Sequence, residues 1–333
     1  MIAADMNVYE LAEYAAGEKV IVDSIGMTYA MIGKYQYPAC SISGGSDSDI
    51  ILDLCSRLDS EKKLRYVWMN TGLEFQATKD HLSDLEKKYN VSIDRIPAIK
   101  SIPMSCRDHG VPFVSKFAST QIEKLQENGF KWEDEPLETL QEKYPGCPSA
   151  LRWWANDYDR REWNIGNFHH LKEFMTENPP GFAISSQCCT WAKKKPVHVW
   201  GKKNGIDLHI LGLRKVEGGI RAASTKTCFT SGTQNIFRPI FWYSDRDKTS
   251  YERLFGVTHS RCYTEYGMAR TGCVGCPFNR DILSELETIK KHEPGLYRAA
   301  CNIFEKAYDY TREYRKFAGL VRAESMKKKL IDL

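Results

Sequence analysis

The 333-residue sequence predicts an α/β fold, a parallel twisted sheet with helices on both faces. Two observations carry this reading. Short apolar runs of strand length alternate with stretches of helical spacing, and glycine-containing turns stand between them. A further buried run, residues 208–213, returns late in the chain as one more strand. Hydrophobic residues at 42% can fill a sizeable core, and 27% charged residues give a polar surface, which excludes fibrous and disordered compositions.

Residues 18–35 place Val20, Ile21, Ile25, Met27, Ala30 and Met31 at spacings near three and four, a helical stripe stopped by Pro38. In 39–43, Cys40 and Ile42 alternate with serines and run into Gly44-Gly45, so a short strand ends in a glycine turn before helical spacing resumes over 49–58. The unit then repeats. Residues 65–70 read as a strand, Thr71-Gly72 as a turn, 75–89 as a helix and 91–96 as a third strand. In such an alternation ligands bind at the carboxyl ends of the strands. Residues 99–113, with Pro103, Gly110 and Pro112, read as a loop, and 115–128 as a helix. Residues 129–182 hold four of the eight tryptophans together with Pro145, Pro148, Pro179 and Pro180, and read as an insertion; from 284 onward the chain is mostly helical.

The net charge of +4 hides a partition. Counting Lys and Arg against Asp and Glu gives −3 over 1–120, −5 over 121–182, +10 over 183–280 and +2 over 281–333. The basic segment suits a polyanion or a multiply charged nucleotide; a solvated basic face is the plain alternative. No run approaches 18 apolar residues, and the first thirty positions, with Asp5, Glu10, Glu13 and Glu18, show no basic-then-apolar leader. A cytoplasmic protein without a membrane partner is expected. Eleven cysteines in a reducing compartment stay thiols unless a metal takes them.

Ser43, Gly44, Gly45, Ser46, Asp47 and Ser48 lie between a predicted strand and a predicted helix. Glycines there let successive backbone N–H groups face one concavity, serine hydroxyls add donors, and the helix N-terminus contributes about half a positive charge. Phosphate oxygens fit such a site. The G-x-x-x-x-G-K-[ST] sequence of γ-phosphate-cleaving NTPases is absent. The loop is similar instead to that of the PP-loop ATP pyrophosphatase superfamily, with its adenine nucleotide alpha-hydrolase-like sheet.

Three further segments narrow the resemblance. Thr71-Gly72-Leu73-Glu74, the segment from Gly212 through Arg214 and Glu217 to Arg221, and Arg270-Thr271-Gly272-Cys273-Val274-Gly275-Cys276-Pro277 resemble the phosphoadenylyl-sulfate and adenylyl-sulfate reductase branch. The likeness spans about 18–278 apart from the insertion. It implies a core begun by residues 1–128, interrupted by 129–182, completed by 183–280 with the arginine and cysteine motifs, and followed by C-terminal helices over 281–333. It also implies ATP or an adenylyl sulfate as ligand, with Mg²⁺. Arg214 follows a strand and can meet sulfate or phosphate oxygens with a guanidinium fork. Arg221 can do the same, or pair with Glu217 on a solvated helix for only ~0.3–0.5 kcal/mol.

Cys188-Cys189 and Cys273-x-x-Cys276 resemble the arrangement that holds a 4Fe-4S cluster in adenylyl-sulfate reductases, and Lys193, Lys194 and Lys195 could offset a cluster's negative charge. Zinc is the rival, since a C-x-x-C is also a zinc half-site, although adjacent cysteines are uncommon around one zinc ion. Cys228 and Cys262 lie in the same region and could replace one of the four; Cys40 and Cys55 read as core thiols.

The chain departs from the reductases in two places. No cysteine lies near residue 333, where those enzymes carry their nucleophile, and Ser46 stands where many have lysine. Cys301 falls with Tyr297, Phe304 and Tyr308 on an expected helix core stripe. Three functions follow as expectations. The first is an ATP-dependent sulfur-transfer enzyme that adenylylates its acceptor, a nucleic acid among the candidates, similar to the iron-sulfur proteins of DNA phosphorothioation. The second is an adenylyl-sulfate reductase served by an external thiol, and the third a nucleotide-binding subunit without turnover. Asp47, Arg214 and Arg221 are the expected catalytic residues, and a sulfur-donor or thiol-reductant protein is an expected partner. The acidic insertion weighs against wide nucleic-acid contact.

Overall fold

The computed structural model describes residues 6–217 and 225–319. The described residues fall into two compact units, one within 1–99 and 192–273, the other within 100–191 and 274–333. The boundary after Cys273 separates it from Cys276 of the same motif.

The first unit carries the sheet. Helices α1 (Val8–Tyr14) and α2 (Lys19–Lys34) lead to β1 (Pro38–Ser41), α3 (Ser46–Leu58), β2 (Arg65–Asn70), α4 (Gln76–Tyr89) and β3 (Ile93–Pro97). After helix Lys195–Lys203 come β4 (Leu208–Leu211), β5 (Phe229–Thr230) and β6 (Asn235–Phe237), followed by helix Asp245–Phe255. Strand order is β3-β2-β1-β4-β6-β5, every pair parallel except β5–β6. The sheet is thus the parallel one that the alternating pattern predicts. Register is tight at the centre, where Ser41 stands between Val67 and Leu211. The chain builds outward from β1 through β2 to β3, then returns to the other side of β1 with β4. That reversal opens a crevice at the carboxyl ends of β1 and β4. Below it lies the core, with Ile50, Ile51, Leu52 and Cys55 of α3 packed among Cys40, Ile210 and Phe237.

The second unit has its own core. Phe113, Ile122, Trp153, Trp154, Phe174 and Tyr310 are buried in it, so three of the four tryptophans of 129–182, Trp132, Trp153 and Trp154, serve packing, while Trp163 is exposed. Residues 99–113 correct the loop expectation: Ile102–His109 is a helix. Pro103 sits in its first turn, where no intrahelical N–H is needed, and Gly110 ends it at φ +101°. Helix Pro294–Phe317 corrects the other stripe. Its buried residues are Ala300, Phe304, Ala307, Tyr308, Tyr310, Thr311 and Tyr314, while Tyr297 and Cys301 are only half-buried at the edge of that face. Among the described residues no helix is long and apolar enough to cross a membrane.

Candidate functional site

The phosphate-loop candidates lie where β1 hands over to α3. Gly44 adopts φ +71°, and a Cβ there would stand 2.6 Å from Thr78 Cγ2, so glycine is required on both counts. Ser48 is buried; its hydroxyl donates to the Gly45 carbonyl at 2.8 Å, and Gly45 N–H donates back to Ser48 Oγ at 3.1 Å. Gly212, just after β4, approaches the loop so closely that a Cβ would meet Asp47 O at 3.0 Å and Ser48 N at 3.2 Å. Two segments far apart in sequence are therefore fitted backbone to backbone at the crevice.

Charge gathers on Asp47. Arg214 Nε lies 3.1 Å from each Asp47 carboxylate oxygen, and its Nη1 donates to Asp245 Oδ1 at 2.8 Å. Lys248 Nζ is 3.0 Å from Asp47 Oδ1 and donates to Ser46 Oγ at 2.5 Å. Asp245 and Lys248 reach the loop together because they are three apart on one helix, whose start is fixed by the Ser244–Asp247 capping box. The Glu217 carboxyl is pushed up, first by burial and then by the Asp47 carboxylate with which it shares a hydrogen bond, against the pull of Arg214. Three carboxyl groups, Asp47, Asp245 and Glu217, and two cations, Arg214 and Lys248, thus converge at the amino end of α3.

A second group of side chains covers the loop. The Tyr263 hydroxyl accepts from Ser46 N–H at 3.1 Å and from Thr271 N–H at 3.2 Å. Thr71, fully buried, donates its N–H to Glu74 Oε1 at 2.9 Å, and Gly72 N–H donates to Asn70 Oδ1 at 3.0 Å. Glu74 bridges to Cys273, whose sulfur lies 3.7 Å from Thr71 Oγ1. The Thr-Gly turn and the start of the cysteine motif are therefore neighbours within the first unit.

Beside the loop is a cavity of about 440 Å³ lined by Ser41, Ser43, Ser48, Leu211, Gly212, Leu213, Thr225 and Arg238. Arg221 lies outside the described residues. Lys248, Tyr263 and Arg238 were not singled out by the sequence. Their only signal was residence in the +10 segment.

In the second unit the Cys188 thiol hydrogen-bonds with Cys106 and Cys189. It is pushed well up, by Cys106 first, with burial and the nearby Cys276 adding and Cys189 opposing. Helix Ile102–His109 thus brings Cys106, a thiol with no sequence motif, to the expected ligand Cys188. This soft donor set is of the kind that iron-sulfur clusters and zinc take. Among the described residues, no group of three or more His, Cys, Asp or Glu is arranged to hold a metal ion.

The family model of the phosphoadenosine phosphosulfate reductase domain matches residues 37–127, a span that includes the loop and the Thr71-Gly72 turn. Among curated proteins none matches the chain. Similar solved structures include the phosphoadenylyl-sulfate reductase of Candida auris in its phosphate complex (TM-score 0.44, 12% identity, covering 79% of this chain and 93% of that one). Another is the NH3-dependent NAD synthetase of Campylobacter jejuni with nitrate ion (TM-score 0.37, 11% identity, 88% and 95% covered). A third is the U34-tRNA thiolase of Methanococcus maripaludis with its 4Fe-4S cluster (TM-score 0.35, 10% identity, 87% and 78% covered).

Proposed function

We propose that this protein is an adenine-nucleotide-using enzyme of sulfur chemistry that adenylylates an acceptor at the Ser43–Ser48 loop and releases pyrophosphate. The observation that carries the reading is the convergence of Lys248 and Arg214 on Ser46 and Asp47 at the start of α3, beside the crevice between β1 and β4. The match over 37–127 supports nucleotide-linked sulfur chemistry as the setting.

Adenylylation asks little covalent chemistry of the protein. The acceptor oxygen attacks the α-phosphorus, the bond to the β-phosphate oxygen breaks, and pyrophosphate leaves with the electron pair. What the site must supply is in-line geometry and charge stabilisation. The α3 N-terminus and the serine hydroxyls supply donors, Lys248 supplies the ammonium that a loop lysine would otherwise give, and Arg214 orients Asp47. Asp47 and Glu217 are the hard oxygen donors at the loop, suited to Mg²⁺, which takes one or two carboxylates plus substrate phosphates and would offset the charge of departing pyrophosphate.

A 4Fe-4S cluster on Cys188, Cys189, Cys273 and Cys276, or zinc in its place, completes the proposal; a bound cluster would supply the sulfur-handling centre. Nucleic acid is the acceptor class that the basic segment favours. A reductase with an external thiol is the second reading, favoured by the family match. Its internal alternative is weak, because the Cys301 thiol is hydrogen-bonded to Tyr297 on the helix.

The test supplies anaerobically purified protein with labelled ATP and candidate nucleic acids, or with adenylyl sulfate and a thiol reductant, and measures pyrophosphate and sulfite. Pyrophosphate release dependent on acceptor is expected. Sulfite without pyrophosphate would promote the reductase, and binding without either product would leave a nucleotide-binding subunit.

A further inference from the structure

We infer that Arg238 is an anion-binding residue, holding a phosphoryl or sulfonyl group of the ligand that enters the cavity beside the Ser43–Ser48 loop. The assignment rests on the proposed use of an adenine nucleotide for the identity of the ligand, but not for the existence of the anion site.

Arg238 follows β6 and lines the cavity at only 7% exposure. Its Nη1 donates to Thr230 Oγ1 at 3.0 Å and to the Thr227 carbonyl at 3.5 Å, both neutral groups. Its Nε is buried, and among the described residues it has no hydrogen-bond partner and no carboxylate pairs with the guanidinium. Burial pushes its pKa down, the mark of a cation in surroundings that do not offset it. A buried guanidinium left in this state is costly, and an apolar residue would pack the position at less expense. Arg214 makes the contrast: equally buried, it is matched by Asp47 and Asp245.

The cavity lining says what would balance the charge. Besides Arg238 its polar side chains among the described residues are the hydroxyls of Ser41, Ser43, Ser48 and Thr225, and none of the described lining residues carries a carboxylate. A volume of about 440 Å³ falls in the range of small-ligand sites. A guanidinium fork and hydroxyl donors fit tetrahedral oxyanions, phosphate or sulfate alike, since two oxygens can take parallel hydrogen bonds. Thr227 and Thr230 hold the fork on one side, which leaves Nε for the ligand.

The test compares wild type, Arg238→Met and Arg238→Lys in equilibrium binding of ATP, adenylyl sulfate and adenosine, and in thermal unfolding with and without inorganic sulfate. Arg238→Met should bind ATP or adenylyl sulfate at least about tenfold more weakly, the loss expected of one charge-assisted contact, with adenosine unchanged. The nucleotide that loses more identifies the group held. Without ligand the Arg238→Met protein should unfold at an equal or higher temperature, and it should lose the stabilisation by sulfate seen in wild type. Equal binding of both nucleotides by wild type and Arg238→Met overturns the assignment. Should wild type bind no adenine nucleotide, the proposed function fails, and the sulfate arm alone decides the anion site: a sulfate effect lost in Arg238→Met supports it, and an unchanged or absent effect sinks it. If Arg238→Met does not fold, Arg238→Lys decides, because a charge without the fork should weaken nucleotide and sulfate binding and unchanged binding refutes the role.

Discussion

Replacing Lys248 by methionine removes the ammonium that stands 2.5 Å from Ser46 Oγ and 3.0 Å from Asp47 Oδ1 while keeping the length of the side chain. A hydrogen bond to a charged group contributes about 1.5–3 kcal/mol. To meet a phosphate, Lys248 must loosen its pairing with Asp47, which is 18% exposed, and such a partly exposed pair is worth about 1 kcal/mol or less. The net is about 1–2 kcal/mol, roughly a five- to thirtyfold weaker ATP affinity. Stability should hardly change, because Asp47 keeps both contacts to Arg214 Nε. Equilibrium titration with Mg²⁺-ATP gives the affinity, adenosine serves as the uncharged control, and a thermal melt checks the fold. Lys248→Arg should stay within a few-fold of wild type. ATP binding by Lys248→Met within twofold of wild type would refute the assignment of Lys248 to the phosphates, as would an equal loss for adenosine, which would point to damaged structure.

The remaining predictions address backbone, protonation and thiols. Gly212→Ala forces a Cβ onto the backbone of Asp47 and Ser48; nucleotide binding should collapse while stability falls by about 1–3 kcal/mol, read by titration and by denaturant unfolding. Burial works to lower the His259 pKa, but hydrogen bonds to Asp49 at 2.8 Å and Glu252 at 3.0 Å prevail and raise it to about 9. Its stabilising contribution is therefore complete below about pH 6.5 and lost as pH rises through 9; unfolding free energy should drop by about 1–2 kcal/mol across that window after solvent screening, and His259→Phe should flatten the drop. If the thiols hold iron, Cys188→Ser should abolish the iron content and visible absorbance of anaerobically purified protein. Cys273→Ser against Cys106→Ser then identifies the fourth ligand, and stoichiometric zinc without iron in wild type would end the cluster proposal.

How far the sequence reached depended on whether a signal was local. The path from β1 through Gly44 to α3 was legible because strand alternation, a turn glycine and helical spacing lie within twenty residues. Pro103 misled because proline reads as a loop signal in isolation, whereas in a first turn it starts a helix. Cys301 misled through phase. Offsets of four, seven and eleven fall on one narrow stripe, but the buried face is centred on Ala300, so Cys301 sits about 100° round from that centre, at the edge of the face. Lys248 and Tyr263 meet Ser46 across 202 and 217 residues of chain, and no short motif encodes such a meeting.

Charge partition reached some of what motifs could not. A total of +4 distinguishes nothing, yet Arg214, Arg238 and Lys248 all belong to the one segment with a surplus of +10. That segment returns to the sheet as β4 and β6, on the side of β1 opposite β2, so the topology delivers its cations to the carboxyl edge where the Ser43–Ser48 loop sits. A local surplus could have been a solvated face. Arg214 and Arg238 at 7% exposure decide against that for two of the cations: a guanidinium intended for solvent has no reason to be buried at a crevice, and one that is buried must be balanced. Arg214 is balanced by Asp47 and Asp245 within the protein, and Arg238 leaves its balance to a ligand.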